Sequence, residues 1–402
     1  MHRRTFFQLS FPSALASLLA GRSFAAPAPL KITDVRLIRL KEIREVGWME
    51  PAWSPGRRNR YAVGGGAAVE IVTDQGLSGI GPGVPESYLP RVRELLVGQD
   101  PFDTEQLNAN LAQRARGGSY AGMGCIDIAL WDLVGKACGK PLYKLFGGGR
   151  DKVPAYASMV QLSTPEERGR LAGQLADDGW PAIKLRLHHQ TMKDDIRTVE
   201  EVRKAVGDRM VILTDANQAQ TANHDQAGVR WDIRRAIETA RELERLGCYF
   251  LEEPLPRYAF HRLAELNSKV ELPIAGGENN PYLHDFAAML RTGAYDILQP
   301  DALVCGGLTV LRKIAALAEA FEMEVIPHHA KGQLGAIAQL HLIAVWKNCP
   351  YLEILHDPPI ADYRNNMAIF KDPPRVGPDG MMAVPQSPGI GLELNPDLVQ
   401  SA

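Results

Sequence analysis

Six acids and histidines recur at near-constant intervals through the second half of the chain. They are Asp215 in ILTDANQ, Glu252 in FLEEP, Glu278 in IAGGEN, Asp301 in ILQPDAL, His328 in VIPHHA and Glu353 in YLEIL. From Glu252 onward the steps are 26, 23, 27 and 25 residues, about one β/α unit each. Carboxylates and imidazoles are the groups that move protons and hold metal ions. Any one of these acids alone reads as a surface charge or a helix N-cap; six at one spacing do not. Glu252 and Glu253 are adjacent, and neighbours on a strand face opposite sides, so one of the two joins the others. Three carboxylates ending consecutive strands would repel each other in a low-dielectric cleft. A divalent cation removes that cost, and all-oxygen donors with no Cys or His favour a hard ion such as Mg²⁺.

The stretch IKLRLHH adds cations. Lys184, Arg186 and His188 alternate and share one face. Two cations at a strand end suit a small anionic substrate; the plainer alternative is that they neutralise nearby carboxylates. His188 and His189 read as bystanders, and His329, beside His328, is expected to face away.

Residues at such a spacing need elements to carry them. From VPAYASM onward, short apolar runs alternate with amphipathic stretches: AIKLRL, MVILTD, YFLEE, LPIAGGE, YDILQPD, EVIPHH and YLEIL, separated by segments such as KDDIRTVEEVRKAVG and WDIRRAIETARELERLG. Eight strands alternating with helices predict parallel β/α units and a TIM-type barrel over residues 151–355, with the site at the C-terminal strand ends. An open doubly wound sheet lacks its Gly-x-Gly-x-x-Gly turn. Before the barrel, KITDVRLIRL and AAVEIVTDQGLSGIG read as antiparallel strands, and YLPRVRELLVG, DTEQLNANLAQRA and GCIDIALWDLVGKACG as helices. Residues 27–150 therefore form an α+β domain. The loops VGWMEPAWSPGRRNRYAVGGG and GPGVPESY are expected to cover the barrel mouth, offering Trp48, Arg57, Arg58, Arg60 and Tyr61 to substrate. Residues 356–402, rich in Pro and Gly, are expected to return to the N-terminal domain.

The first 26 residues have another pattern. MHRRTFFQLS, FPSALASLLA and SFAAPAP give a charged, an apolar and a small-residue region, the layout of a cleavable export signal. The paired arginines resemble a twin-arginine signal, which places the protein in the periplasm or outside the cell; without such a signal it is cytoplasmic. Its removal leaves 42 Lys+Arg against 47 Asp+Glu, a charge of -5. A whole-chain charge of -2 gives no nucleic-acid footprint, and the apolar stretch is too short to span a bilayer. The five cysteines show no metal-binding spacing and read as small buried hydrophobes. The chain is expected to be a homo-oligomer.

TDAN, LEEP, GGEN, QPDALVCGGLT and IPHH together resemble the enolase superfamily, mandelate racemase subgroup, over nearly the whole chain after the signal. The resemblance implies an α+β capping domain on a modified (β/α)7β barrel, with Asp215, Glu252 and Glu278 binding one Mg²⁺. It makes His328 a general base paired with Asp301, and Glu353 a hydrogen-bonding partner of the substrate carboxylate that helps stabilise the enolate. Lys184 and Arg186 occupy the family's Lys-x-Lys pair. The second lysine is often the base on the opposite face of the α-carbon, and arginine stays protonated. One-sided chemistry is therefore expected: a hydro-lyase removing water from an acid sugar to give a 2-keto-3-deoxy acid. The alternatives are a racemase or epimerase with Lys184 or His188 as second base and, outside enzymes, a periplasmic sugar-acid binding protein. Muconate-type cycloisomerases and dipeptide epimerases carry a lysine after the sixth strand, where this chain has Asp301.

Overall fold

The computed structural model describes residues 29–114, 120–222, 225–330 and 332–400. The export-signal reading falls on residues 1–26, outside the described residues. Eight parallel strands follow the expected runs: Lys152–Ser158, Ala182–Arg186, Val211–Asp215, Leu251–Glu252, Ile274–Gly276, Ile297–Leu298, Glu324–Val325 and Leu352–Leu355. Taken as first to eighth, their ladder runs from the seventh back to the first, and the first then pairs with the eighth. At the remaining seam Val325 N–H donates to the Asn348 carbonyl over 3.0 Å. The fold is a (β/α)7β barrel with an α+β cap.

Helices pack outside because their sequences bury one stripe. In Ile233–Arg245 the buried residues are Ala236, Thr239, Ala240 and Leu243, the i, i+3, i+4, i+7 spacing of one helical face. Asp232 begins it by accepting from Arg235 N–H over 2.8 Å. Thr164 and Glu167 form a reciprocal capping box at Pro165–Asp177. Each cap contributes about 1 kcal/mol.

The barrel interior follows the two-residue period of a strand. One apolar side chain from each of the first seven staves fills the floor: Tyr156, Ala182, Leu213, Phe250, Ala275, Ile297 and Ile326. Two residues further along six of these staves come Ser158, Lys184, Asp215, Glu252, Gln299 and His328, all buried. Same parity means same side, so a dry apolar floor carries a polar layer directly above it.

The cap contains a three-stranded antiparallel sheet, Ile32–Arg39, Ala67–Thr73 and Ser78–Pro82, and the helices Leu89–Leu96, Thr104–Arg114 and Tyr120–Ala137. Gly79 and Gly81 let the edge strand lie on the last of these. A Cβ at either would stand 2.2 Å from a carbonyl oxygen, of Ala129 or Cys125. GPGVPESY thus packs along the cap and does not reach over the mouth. The other expected loop is a β-hairpin, Glu42–Met49 with Asn59–Gly64. Most of its strand residues are exposed or half-exposed, so no apolar alternation marked it in the sequence.

The C-terminal segment serves both parts. Bridges Leu40–Val399 and Pro141–Gly389 join it to the cap, and Met381–Ala383 adds an antiparallel strand to the first barrel strand. Cys125, Cys305 and Cys349 are buried, Cys248 is half-buried and Cys138 is exposed. Among the described residues no helix is long and apolar enough to cross a membrane.

Candidate active site

The polar layer and the strand ends above it bring all eight sequence-selected residues together. Asp215, Glu252 and Glu278 each aim a carboxylate oxygen at a common region, with those atoms within 4.8 Å of one another. Opposite donors about one oxygen-bound divalent ion, at roughly 2.1–2.5 Å each, stand about 4–5 Å apart. The cluster therefore spans no more than one ion's shell. Glu252 Oε1 is buried without a hydrogen-bond partner, an orphan acceptor that a cation would satisfy. An all-oxygen donor set and an orphaned oxygen fit Mg²⁺. Glu253 stays outside the cluster: it sits at φ 44°, and both its carboxylate oxygens are buried without partners. Burial first, then Glu278 and Asp215, push its carboxyl well above the usual range.

Lys184 lies beneath, fully buried. Its Nζ is 2.6 Å from Glu252 Oε2, 2.8 Å from Glu353 Oε1 and 3.8 Å from Asp215 Oδ2. Burial opposes its charge, but Glu252, Glu353 and Asp215 outweigh burial and raise its pKa. Arg186 is a brace. Nη1 bonds Asp215 and, over 3.0 Å, Asn217 Oδ1; Nη2 donates to Ser158 Oγ over 3.1 Å, and Nε to the Met159 carbonyl over 2.8 Å. The Trp53 ring stacks 4.9 Å from its guanidinium carbon.

His328 faces the triad from the seventh stave. Nδ1 is 2.6 Å from Asp301 Oδ2, and Nε2 is 3.1 Å from Glu278 Oε2. Asp301 thus fixes the tautomer with the proton on Nδ1 and leaves Nε2 towards the mouth. Burial lowers the imidazole pKa, but Glu278 and the Asp301 hydrogen bond win and carry it to about 9. The same pairing, with Lys184 and Arg186, overcomes burial to hold Glu278 at about 2. Glu252 goes the other way: burial, then Asp215, lift it to about 8 against the pull of Lys184. Asp215 is raised chiefly by burial, against Arg186 and Lys184. With the carboxyls counted as ionised and His328 as the neutral base, Asp215, Glu252, Glu278, Asp301 and Glu353 set five negative charges against the two positive ones of Lys184 and Arg186. The balance is -3, which one divalent ion reduces to -1.

The mouth is a cavity of about 260 Å³ lined by Trp53, Arg186, Asn217, Gln220, Glu278, Asn279, His328 and His329. His329 corrects an expectation. It does not face away; its ring lies 4.0 Å from that of His328 and lines the same cavity, because ladder-type bonding runs only to His328, whose N–H donates to the Pro300 carbonyl over 3.1 Å, and the chain then turns at Ala330, φ 55°. His329 N–H also donates to Glu353 Oε2 over 3.1 Å. Burial first, then His328, depress its pKa to about 3. His188, the other candidate second base, bonds Asn217 Oδ1 over 3.2 Å and is held near 3 by burial and Arg186.

The five cap residues expected at the substrate do not line the mouth. Arg60 is engaged by Glu42 and Glu45, Arg58 reaches the Trp48 carbonyl, and Tyr61 packs with Met49, Val160 and Ala361. Trp53, from the turn of the hairpin, takes their place, and Ala52 N–H pins that turn to the Val160 carbonyl over 2.8 Å. Sequence reasoning also missed Ser158, Asn217 and Gln299. Counting two residues on from the floor would have found Ser158 and Gln299; nothing in the sequence marked Trp53.

Comparison with known proteins identifies the family. Residues 57–147 match the mandelate racemase/muconate lactonizing enzyme N-terminal domain, and residues 167–398 match the enolase C-terminal domain-like family. An arabinonate dehydratase from Saccharolobus solfataricus is 31% identical over 81% of this chain and 87% of its own length. A D-galactarolactone cycloisomerase from Agrobacterium fabrum is 30% identical over 92% of this chain and 97% of its own. Among solved structures, D-glucarate dehydratase from Agrobacterium tumefaciens complexed with magnesium superposes with a TM-score of 0.77 at 29% identity, covering 90% of this chain and 96% of that one.

Proposed function

The chain belongs to the mandelate racemase/muconate lactonizing enzyme family of the enolase superfamily, and on that premise we propose that it is a Mg²⁺-dependent acid-sugar dehydratase. The carrying observation is the asymmetry of the mouth. His328 presents one imidazole nitrogen, supported by Asp301 over 2.6 Å, while the opposite cation is a fully braced guanidinium. Racemisation needs a proton acceptor on each face of the α-carbon. Arg186 does not release a proton at working pH, and Lys184 is held in its charged form. The dehydratase and Mg²⁺-bound relatives support the same reading.

Asp215, Glu252 and Glu278 would hold Mg²⁺, whose charge beside the substrate carboxylate offsets the second negative charge that builds as the α-proton leaves. Lys184 turns its ammonium to a carboxylate oxygen of the substrate. Released from Lys184 and faced with a second anion, Glu353 takes up a proton and donates a hydrogen bond to the other oxygen. His328 Nε2 accepts the α-proton, and Asp301 supports the imidazolium that results. His328 then returns that proton to the departing β-hydroxyl, so water leaves and the enol tautomerises to the 2-keto-3-deoxy acid. Asn217, Gln220, Asn279 and the Trp53 ring line the space for the remaining hydroxyls and C–H faces.

A second reading rests on the cycloisomerase relative: the same proton abstraction from a sugar-acid lactone, with the ring oxygen as leaving group. A panel of acid sugars and their lactones, with Mg²⁺ in D₂O, tests both. Keto-deoxy product from open acids, lost in His328→Asn, supports dehydration; product from lactones alone supports ring opening. Epimer without elimination overturns the proposal.

A further inference from the structure

Gln299 belongs to no role assigned so far. It ends the sixth stave in the polar layer and is fully buried. Its Nε2 donates to Glu252 Oε2 over 2.9 Å, the same oxygen that Lys184 Nζ meets at 2.6 Å. The amide orientation follows from chemistry: turned round, its oxygen would stand against a carboxylate oxygen. Glu252 is thereby divided. Oε2 carries two N–H donors, while Oε1 has no hydrogen-bond partner. A carboxylate held this way can offer one oxygen to a cation and not two.

We propose that Gln299 is a positioning residue that holds Glu252 to one-oxygen ligation and so sets the site's preference for Mg²⁺ over larger divalent ions. Mg²⁺ takes six oxygens in a near-ideal octahedron, whereas Ca²⁺ takes 6–8 and accepts two-oxygen carboxylates. Three single carboxylate oxygens leave places open for substrate; a Glu252 chelating through both would fill one of them. Lys184 cannot hold Oε2 alone. It is shared with Glu353 and Asp215, and it is the group that turns to the substrate carboxylate. Gln299 is neutral, so an arriving anion does not draw it away, and its amide oxygen has no hydrogen-bond partner.

The inference rests on the Mg²⁺ reading, and its test separates the two. Calorimetric titration of metal-stripped protein with Mg²⁺ and with Ca²⁺ gives the ratio of the two dissociation constants. In Gln299→Met, close in volume but without the donor, Mg²⁺ affinity should fall about tenfold, the low end of what lost orienting partners cost. Ca²⁺ affinity should change less than about twofold, so the selectivity ratio collapses. Gln299→Asn keeps the amide but falls one methylene short, and should behave likewise if Gln299→Met does not fold. Equal weakening of both ions would make Gln299 merely structural, and an unchanged ratio would also overturn the proposal. A wild-type protein that binds neither ion would remove the Mg²⁺ reading itself.

Discussion

Stripping the divalent ion should cost more stability as pH rises, and by a calculable amount. Glu252 sits at about 8 in the fold against an ordinary 4.5, raised by burial and Asp215. A carboxyl raised by folding gives stability that is complete below pH 4.5 and is lost as pH climbs through 8. Inside that window each pH unit costs about 1.4 kcal/mol. Between pH 5.5 and 7.5 the metal-free protein should lose roughly 3 kcal/mol from this group. Mg²⁺ pairs with the ionised form and cancels the loss. His328, raised to about 9 partly by Glu278, adds in the same direction, because a cation on Glu278 weakens that pull. With about 2.1 cal/mol/K of unfolding entropy per residue, a chain this long shifts by roughly 1 °C per kcal/mol. The rise in Tm on adding saturating Mg²⁺ to metal-stripped protein should therefore be about 3–4 °C larger at pH 7.5 than at pH 5.5. Differential scanning fluorimetry reads this directly, and the difference cancels groups elsewhere in the protein. A Mg²⁺ effect that is flat, or larger at the lower pH, would refute the idea that three crowded carboxylates await one ion.

Asp301→Asn removes the charge behind a 2.6 Å contact with His328. It should lower kcat roughly 10–100-fold, as loss of a charge-assisted hydrogen bond does, and move the acidic, ascending limb of the pH–rate profile to lower pH with the imidazole. Arg186→Lys exchanges a fixed fork for an amine that can lose its proton. Dehydration should slow by about tenfold or more as the bonds to Ser158 and Met159 go, and epimer should appear by NMR in D₂O as pH approaches 10; no epimer means the guanidinium is not what makes the site one-sided. His341 is buried, accepting from Tyr143 N–H at Nδ1 over 3.2 Å and donating from Nε2 to the Ile390 carbonyl over 2.9 Å. Burial depresses its pKa to about 4 from 6.5, so its stability is complete above pH 6.5 and lost as pH falls through 4, about 3 kcal/mol in all. A His341→Gln protein keeps an acceptor and a donor there and should lose correspondingly less stability to denaturant between pH 7 and 4.5.

The parts of this site that were readable in sequence share one physical property. Asp215, Glu252, Glu278, Asp301, His328 and Glu353 each interrupt an apolar run, and a charge at the end of a buried strand is costly enough to demand a reason. Gln299 and Ser158 sit in the same layer but are uncharged, so nothing made them conspicuous until the floor beneath them was known. Trp53 was invisible for a different reason. It comes from a hairpin whose strands are largely solvent-facing, and its place over Arg186 depends on how the cap docks, through Ala52 on Val160. His329 was misread because alternation was extended past the last ladder residue. Past His328, whose N–H still donates to the Pro300 carbonyl, the chain turns at Ala330, and two successive imidazoles face one cavity.

Arg186 joins barrel wall, candidate metal ligand and cap. Its side chain touches the first stave at Ser158 and Met159, the third at Asp215 and Asn217, and the cap at Trp53. A lysine has three donors on one nitrogen and cannot span those points; a guanidinium presents five in a rigid plane with a face left over for an aromatic ring. An arginine here, which on the dehydratase reading cannot serve as a second base, also gives the site a brace between the candidate metal ligand Asp215, the barrel wall and the cap. On that reading, the same residue bears on one-sided proton transfer and on the packing of the cap's Trp53 at the mouth. Because Trp53 lies on that guanidinium face and also lines the mouth, a substrate meets a wall of ring and guanidinium whose charge does not change with pH.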